Sequence, residues 1–100
     1  MALQITEYAG IFEITGKLNT QNANALKNHF ETLIQTENHI IISLNQVSEI
    51  DPSSFGIIVN LYKKALEKNK VFYILPEENQ NVIDLFKSKN MDYMLQKRSA

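Results

Sequence analysis

Within this 100-residue chain, side chains able to do chemistry gather most closely in Glu49-Ile50-Asp51-Pro52-Ser53-Ser54-Phe55-Gly56. Asp51 followed by Pro52 reads as a helix start. The carboxylate accepts from an orphan backbone N–H, and proline at the first helical position gives up no hydrogen bond. That local role accounts for Asp51 and Pro52. It accounts less well for Ser53 and Ser54, since the cap is already supplied and small hydroxyls gain little in a first turn. A phosphate on Ser53 would sit beside unpaired N–H groups and the positive end of the helix dipole, where the helix tolerates it. It would add about −1.5 to −2 charges next to Asp51 and Glu49, repelling a partner docked there while leaving the fold in place. Plain capping and a phosphate-operated binding switch are therefore the two readings of this segment.

The other candidates are weaker. His29 and His39 have no second histidine four residues away and no nearby carboxylate pair spaced as metal ligands, so they read as surface or core-edge residues. Glu77 and Glu78 precede a helix and simply complement its dipole. Gly10, Gly16 and Gly56 are too scattered for a dinucleotide fingerprint or a phosphate-binding loop. With no cysteine, disulfides, thiolate metal sites, redox CxxC motifs and cysteine nucleophiles are all excluded. No cofactor is expected, and no enzymatic activity.

Ten Lys+Arg against eleven Asp+Glu give a formal net charge of −1, so no whole-molecule field exists to hold nucleic acid or an anionic membrane. No apolar run approaches the ~20 residues needed to span a bilayer, and the amino terminus lacks a basic start followed by an apolar stretch. These features predict a soluble, cytoplasmic protein without membrane insertion. The length predicts one domain over residues 1–100, with a small core and little stability to spare for a strained active site, which favours a binding module.

Several elements must position the segment. Leu3 to Tyr8 and Ile11 to Thr15, joined across Ala9-Gly10, predict a β-hairpin. Ala23, Leu26, Phe30, Leu33 and Ile34 recur at spacings of three and four, predicting a helix over 20–36 with Thr20 as its N-cap. His39 to Leu44 lacks alternation and is dense in β-branched residues, as a doubly covered central strand requires. A loop is expected from Asn45 to Ile50. A second helix follows, with Phe55, Ile58, Val59, Tyr62, Ala65 and Leu66 inward and the Ser53/Ser54 end exposed. Val71 to Leu75, stopped by Pro76, predicts a strand parallel to the central one through a right-handed crossover. A third helix is expected over 78–89 with Val82, Leu85 and Phe86 inward, then a short strand over 92–96 and a frayed tail from Lys97 to Ala100. The fold class is α/β, order ββαβαβα(β), a mixed four- to five-stranded sheet with helices packed against it. Apolar residues near Tyr93, Met94 and Leu95 offer at most a weak self-contact, so a monomer or weak dimer is expected.

Gly16-Lys17-Leu18-Asn19 with Asn22-Ala23, the strand Ile40 to Leu44, and the turn Asp51 to Gly56 follow the order and spacing of the STAS domain family, which the chain resembles over nearly its whole length. The family includes bacterial anti-sigma factor antagonists and the cytoplasmic tails of sulfate transporters. Aligned through Asp51 and Gly56, the resemblance implies that Ser53 is the phosphorylated residue, with Ser54, where the family usually has glycine, the second choice. Pro52 stands where the family has a small residue, fixing the backbone a kinase must grip. The implied docking surface is Asp51, Pro52, Ser53, Ser54 and Gly56. Its implied partners are an anti-sigma factor with serine kinase activity, which releases the phosphorylated form, and a serine phosphatase that reverses the mark. A different function also fits the family: an accessory subunit docking on the ATPase of a membrane transporter without phosphorylation. Some members have been linked to nucleotides, but the glycine, lysine and carboxylate spacing here supports no nucleotide pocket.

Overall fold

Ala9 and Gly10 both adopt positive φ, 53° and 83°, the backbone that a two-residue hairpin turn demands. In the computed structural model, which describes residues 3–96, this turn joins β1 (Gln4–Tyr8) antiparallel to β2 (Ile11–Leu18). The chain continues through α1 (Ala23–Thr36), β3 (His39–Ile50), α2 (Pro52–Glu67), β4 (Val71–Leu75) and α3 (Gln80–Ser88). The sheet order is β1-β2-β3-β4, with β2·β3 and β3·β4 parallel, as the crossover helices require. Two right-handed crossovers stepping the same way leave α1 and α2 side by side on one face, where Lys64 donates to Glu31 at 2.6 Å.

The core lies between that helical layer and the sheet. Ile14, Leu18, Ile40, Ile42, Leu44 and Ile74 from the strands meet Leu26, Phe30, Ile34, Ile58, Ala65 and Phe86 from the helices. Along α2 the inward stripe departs from expectation: Ser54 and Leu61 are buried, Tyr62 is half-buried and Leu66 is 53% exposed. One residue past buried Ala65, the ~100° helical step carries Leu66 off the face.

Several boundaries differ from the sequence reading. Strand β2, expected to end at Thr15, runs on to Leu18 because its pairing with β3 continues through Gly16 and Lys17. Helix α1 starts at Ala23 after Asn22, not at a Thr20 cap. Residues 19–22 instead form a turn closed by their own asparagines: Asn19 N–H donates to Asn22 Oδ1 at 2.9 Å, and Asn22 Nδ2 donates to the Lys17 carbonyl at 2.7 Å. Helix α3 starts at Gln80, capped by Asn79, which displaces Glu77 and Glu78 from the first turn. The segment 92–96 is no fifth strand. Asp92–Met94 makes a single 3₁₀ turn that drops Met94 into the core, and only Leu95 bridges to Ile74. Of the three apolar residues expected outside here, Met94 is buried and Leu95 half-buried, leaving Tyr93 exposed. Lys97 to Ala100, expected as a frayed tail, lie outside the described residues.

The expected loop from Asn45 to Ile50 is strand. β3 runs twelve residues, but its pairing with β2 slips twice: Glu13 faces Ser43 while Thr15 faces Gln46, and Gly16 faces Val47 while Lys17 faces Glu49. Each slip inserts one extra β3 residue, the signature of a bulge. Leu44, Val47 and Ile50 therefore turn inward at a spacing of three rather than two. Bulging frees backbone carbonyls, and one side chain collects them. Asn79 Nδ2 donates to the carbonyls of Leu44 (2.9 Å) and Val47 (2.8 Å), with Asn45 at 3.3 Å, while its Oδ1 accepts from Val82 N–H. The start of α3 is thereby pinned to the bulged half of β3.

Gly16 sits at the second slip with φ of 114°, in backbone space that side chains avoid. Its twist delivers Leu18 into the core and aims the Leu18 carbonyl at Asp51 N–H, 2.9 Å away. Gly16→Ala is expected to destabilise the fold by about 1–3 kcal/mol, read as a lowered denaturant midpoint at unchanged m-value; an unaltered midpoint would show that this twist is not required.

Candidate functional site

Strand β3 ends and helix α2 begins at Asp51, and every polar atom of that residue is engaged. Its backbone N–H donates to Leu18 of β2 at 2.9 Å, and its carbonyl accepts from Phe55 N–H at 2.9 Å. Carboxylate Oδ1 accepts from Ser54 N–H at 2.8 Å, the N-cap bond, and from the Ser53 hydroxyl at 2.9 Å. Oδ2 accepts from the Thr20 hydroxyl at 3.0 Å, across from the β2–α1 turn. The two hydroxyls, Thr20 Oγ1 and Ser53 Oγ, stand 3.4 Å apart. Pro52 occupies the first helical position, as the sequence reading requires.

These donors hold the Asp51 carboxyl down to about 2 from its ordinary 3.8. The Ser54 backbone N–H contributes most, and the hydroxyls of Ser53, Ser54 and Thr20 add to it against a smaller opposing effect of burial. Asp51 is therefore a carboxylate at any physiological pH. So weak a base orients the Ser53 hydroxyl without removing its proton.

The two serines part company. Ser53 is exposed and its oxygen is reachable from solvent, whereas Ser54 is fully buried. The helix turns by ~100° per residue, so a Ser53 facing outward sends Ser54 beneath the helix. This corrects the expectation that both hydroxyls lie on the open end of α2. Ser54 Oγ makes no well-formed hydrogen bond, although it lies near enough to Asp51 to help lower its pKa. The next residue, Phe55, is core, its ring edge-on to Phe86 of α3 at 4.9 Å. The α3 helix pinned by Asn79 thus buttresses the first turn of α2.

Gly56 is half-buried, and a Cβ placed there would meet nothing within 4 Å. The fold does not need this glycine, which lies three residues, or nearly one turn, beyond Ser53. Asp51, Pro52, Ser53 and Gly56 form one continuous strip at the start of α2; Ser54 contributes to its floor. Thr20 is the residue the sequence reading missed as part of the site. The hydroxyl was visible as a cap candidate, but its true partner lies thirty-one residues away, a distance no local pattern reports.

The remaining candidates do not gather here. His29 is exposed on α1, edge-on to Phe30 and Phe12, and His39 is exposed at the start of β3. Among the described residues no cluster of three or more His, Asp or Glu side chains is placed to hold a metal ion. No helix of the described residues is long and apolar enough to cross a membrane. A surface hollow of about 600 Å³ lies between the end of β4, α3 and residues 92–96, with Glu77, Glu78, Lys87 and Asp92 among its lining residues.

Compared with known proteins, the chain matches the family model of the STAS domain over residues 1–95. The chain belongs to the STAS domain family. The fold of this STAS domain is shared with the anti-sigma factor antagonist SpoIIAA in its unphosphorylated form, at 15% identity and a TM-score of 0.77, covering 98% of this chain and 89% of that one. The phosphorylated form of the Bacillus cell fate determinant SpoIIAA superposes with a TM-score of 0.72 at 14% identity, covering 98% and 92%. A protein described as an anti-sigma factor antagonist from Thermotoga maritima gives 24% identity and a TM-score of 0.71, covering 98% and 86%. No curated protein sequence matches this one.

Two measurements test the site as built. Because its folded pKa is depressed, Asp51 favours the folded state above its ordinary range, near pH 4, and that contribution fades as pH falls towards about 2. A carboxyl titration followed by NMR should place its midpoint near 2, with Ser53→Ala moving the midpoint upward; a midpoint in the usual carboxylate range would contradict the cap geometry. Ser54→Ala removes a buried hydroxyl without a good partner, so stability should be unchanged or raised by about 1 kcal/mol. Loss of more than that on thermal melting would mean that Ser54 Oγ has a hydrogen bond after all.

Proposed function

We propose that this STAS domain is a regulatory binding domain of the anti-sigma factor antagonist type, switched by reversible phosphorylation of Ser53. The observation behind this reading is the division of labour between the two serines. Ser53 alone offers its oxygen to solvent, and the same oxygen already donates to Asp51, so the nucleophile is exposed and oriented.

Its partner is an anti-sigma factor with serine kinase activity that docks over Asp51, Pro52, Ser53 and Gly56. Ser53 Oγ attacks the terminal phosphorus of the nucleoside triphosphate held by that partner. The hydroxyl proton leaves to a base of the partner, because Asp51 is too weak to take it, and nucleoside diphosphate departs. The product carries about −1.5 to −2 charges against the Asp51 carboxylate, with Glu49 two residues away. The helix dipole tolerates this charge; a surface packed against it does not, and the complex separates. A serine phosphatase restores the binding form. In this reading the domain spans residues 1–100, works in the cytoplasm, needs no cofactor, catalyses nothing itself, and contacts neither nucleic acid nor membrane.

Gly56 fits the same scheme. Glycine inside a helix costs roughly 0.5–1 kcal/mol relative to alanine, and nothing in the fold occupies the space a methyl group would fill. A bare backbone here lets a partner approach α2 closely.

Site-mapped intact mass of the protein from its native host under phosphatase inhibition is the deciding experiment. One phosphoryl group on Ser53 is expected, and a chain unmodified across growth conditions would move the assignment to constitutive docking, as on a transporter ATPase. Gly56→Ala gives an independent check: a melting temperature raised by about 0.5–1 kcal/mol of stability together with weakened binding to the cognate anti-sigma factor. Undiminished binding would remove Gly56 from the docking strip.

A further inference from the structure

Residues 19–22 form a turn with a fixed shape, and among the described residues Thr20 is the side chain that ties it to the start of α2. Its shape is set internally: Asn22 N–H donates to the Asn19 carbonyl at 3.1 Å, Gln21 N–H to Asn19 Oδ1 at 3.0 Å, and Asn19 N–H to Asn22 Oδ1 at 2.9 Å. None of these bonds decides where the turn lies against α2. That position is set at its base by the backbone bond from Asp51 to Leu18, and at its exposed tip by the hydroxyl of Thr20 on Asp51 Oδ2.

We propose that Thr20 is a positioning residue that couples the phosphorylation state of Ser53 to the placement of the β2–α1 turn, an inference that rests on Ser53 being the modified residue. Proton counting carries it. In the unmodified chain, Ser53 Oγ gives its one proton to Asp51 Oδ1, and Thr20 Oγ1 gives its one proton to Oδ2. Both hydroxyl protons point into one carboxylate. Phosphoserine has no proton on Oγ, so the first of these bonds disappears. In its place stand phosphoryl oxygens, strong acceptors bearing more charge than the carboxylate, attached to an atom that was 3.4 Å from Thr20 Oγ1. Thr20 has a single proton and two anions competing for it, and it cannot serve both. The phosphoryl group draws it by charge, Asp51 Oδ2 loses its donor, and the two anions repel each other. The tip of the turn then follows the phosphate instead of Asp51. Threonine suits the task, since its branched Cβ restricts χ1 and turns a change of hydroxyl partner into movement of the backbone.

Phosphorylation in this scheme alters the shape of the neighbouring turn as well as the charge of α2. A partner covering both elements would sense two changes from one chemical event.

The test installs phosphoserine at position 53 by synthesis or during translation, and follows backbone amide shifts and hydrogen exchange in the intact chain. With Thr20 present, phosphoserine is expected to shift the amides of 19–22 as the turn moves, while exchange at Gln21 and Asn22, whose N–H groups bond to Asn19 within the turn, stays at its unmodified rate. Thr20→Val should show a displaced turn before modification and no further change when phosphoserine is added; Thr20→Ser, which keeps the donor, should respond as the natural chain does. A turn unmoved by phosphoserine, or an equal response with and without the Thr20 hydroxyl, overturns the proposal. Because the phosphate is installed without a kinase, these outcomes are independent of modification in the host: absence of phosphate on native Ser53 would sink the proposed switch, whereas a silent turn would sink only the coupling through Thr20.

Discussion

One carboxylate ties three elements together. Asp51 ends β3, starts α2 and holds the tip of the β2–α1 turn, through an N-cap bond and two hydroxyl donors that converge on its oxygens. A cap of this kind normally contributes about 1 kcal/mol to its helix. Here the same group also sets which way Ser53 faces and how close Thr20 comes. The chemistry of the site is therefore a by-product of ending a strand and beginning a helix at one residue, with Pro52 fixing the direction of departure. The stability of the helix start and the geometry of the Ser53 hydroxyl cannot be altered separately.

The position of Asp51 depends in turn on irregularity upstream. A flat β3 would alternate inward and outward to its end; two bulges reset that alternation so that Val47 and Leu44 both turn inward and the strand still reaches Leu18 in register with Ile50. The bulges leave carbonyls that a buried strand cannot hydrate, and Asn79 satisfies them with one amide group. That same amide starts α3, whose Phe86 supports Phe55 below the site. Bulge, amide, helix and ring form a chain of contacts that holds the first turn of α2 from beneath, while Thr20 holds it from the side.

Much of this was legible in the sequence, for reasons that differ by residue. The hairpin at Ala9-Gly10, the inward faces of α1 and α3, the two crossover strands and the Asp51-Pro52 start all rest on local rules of period and capping, and such rules survive folding. What failed lay at the ends of elements and in contacts between them. Thr20 looked like a cap because hydroxyls before an apolar stripe usually are; a carboxylate from another element was the better partner. Ser54 looked as open as Ser53 because the two are adjacent, yet one helical step separates solvent from core. The bulged half of β3 looked like a loop because Asn45, Gln46, Ser48 and Glu49 are polar. The spacing of three among Leu44, Val47 and Ile50 was its only trace, and it becomes readable once a bulge is allowed.

The sheet order has a kinetic meaning. Strands lie in space in the order in which they occur in the chain, so none must insert between two that are already paired. Each crossover closes a loop of modest length, whose entropy rises only slowly with size, and the helices supply local contacts that favour fast folding. Opening should begin at an edge of the sheet. The β1 strand, antiparallel at one edge and mostly exposed, can fray as a local event while β3 and α2 stay closed at the centre. The Ser53 hydroxyl, at the start of α2, is thus carried by a part of the molecule that melts late.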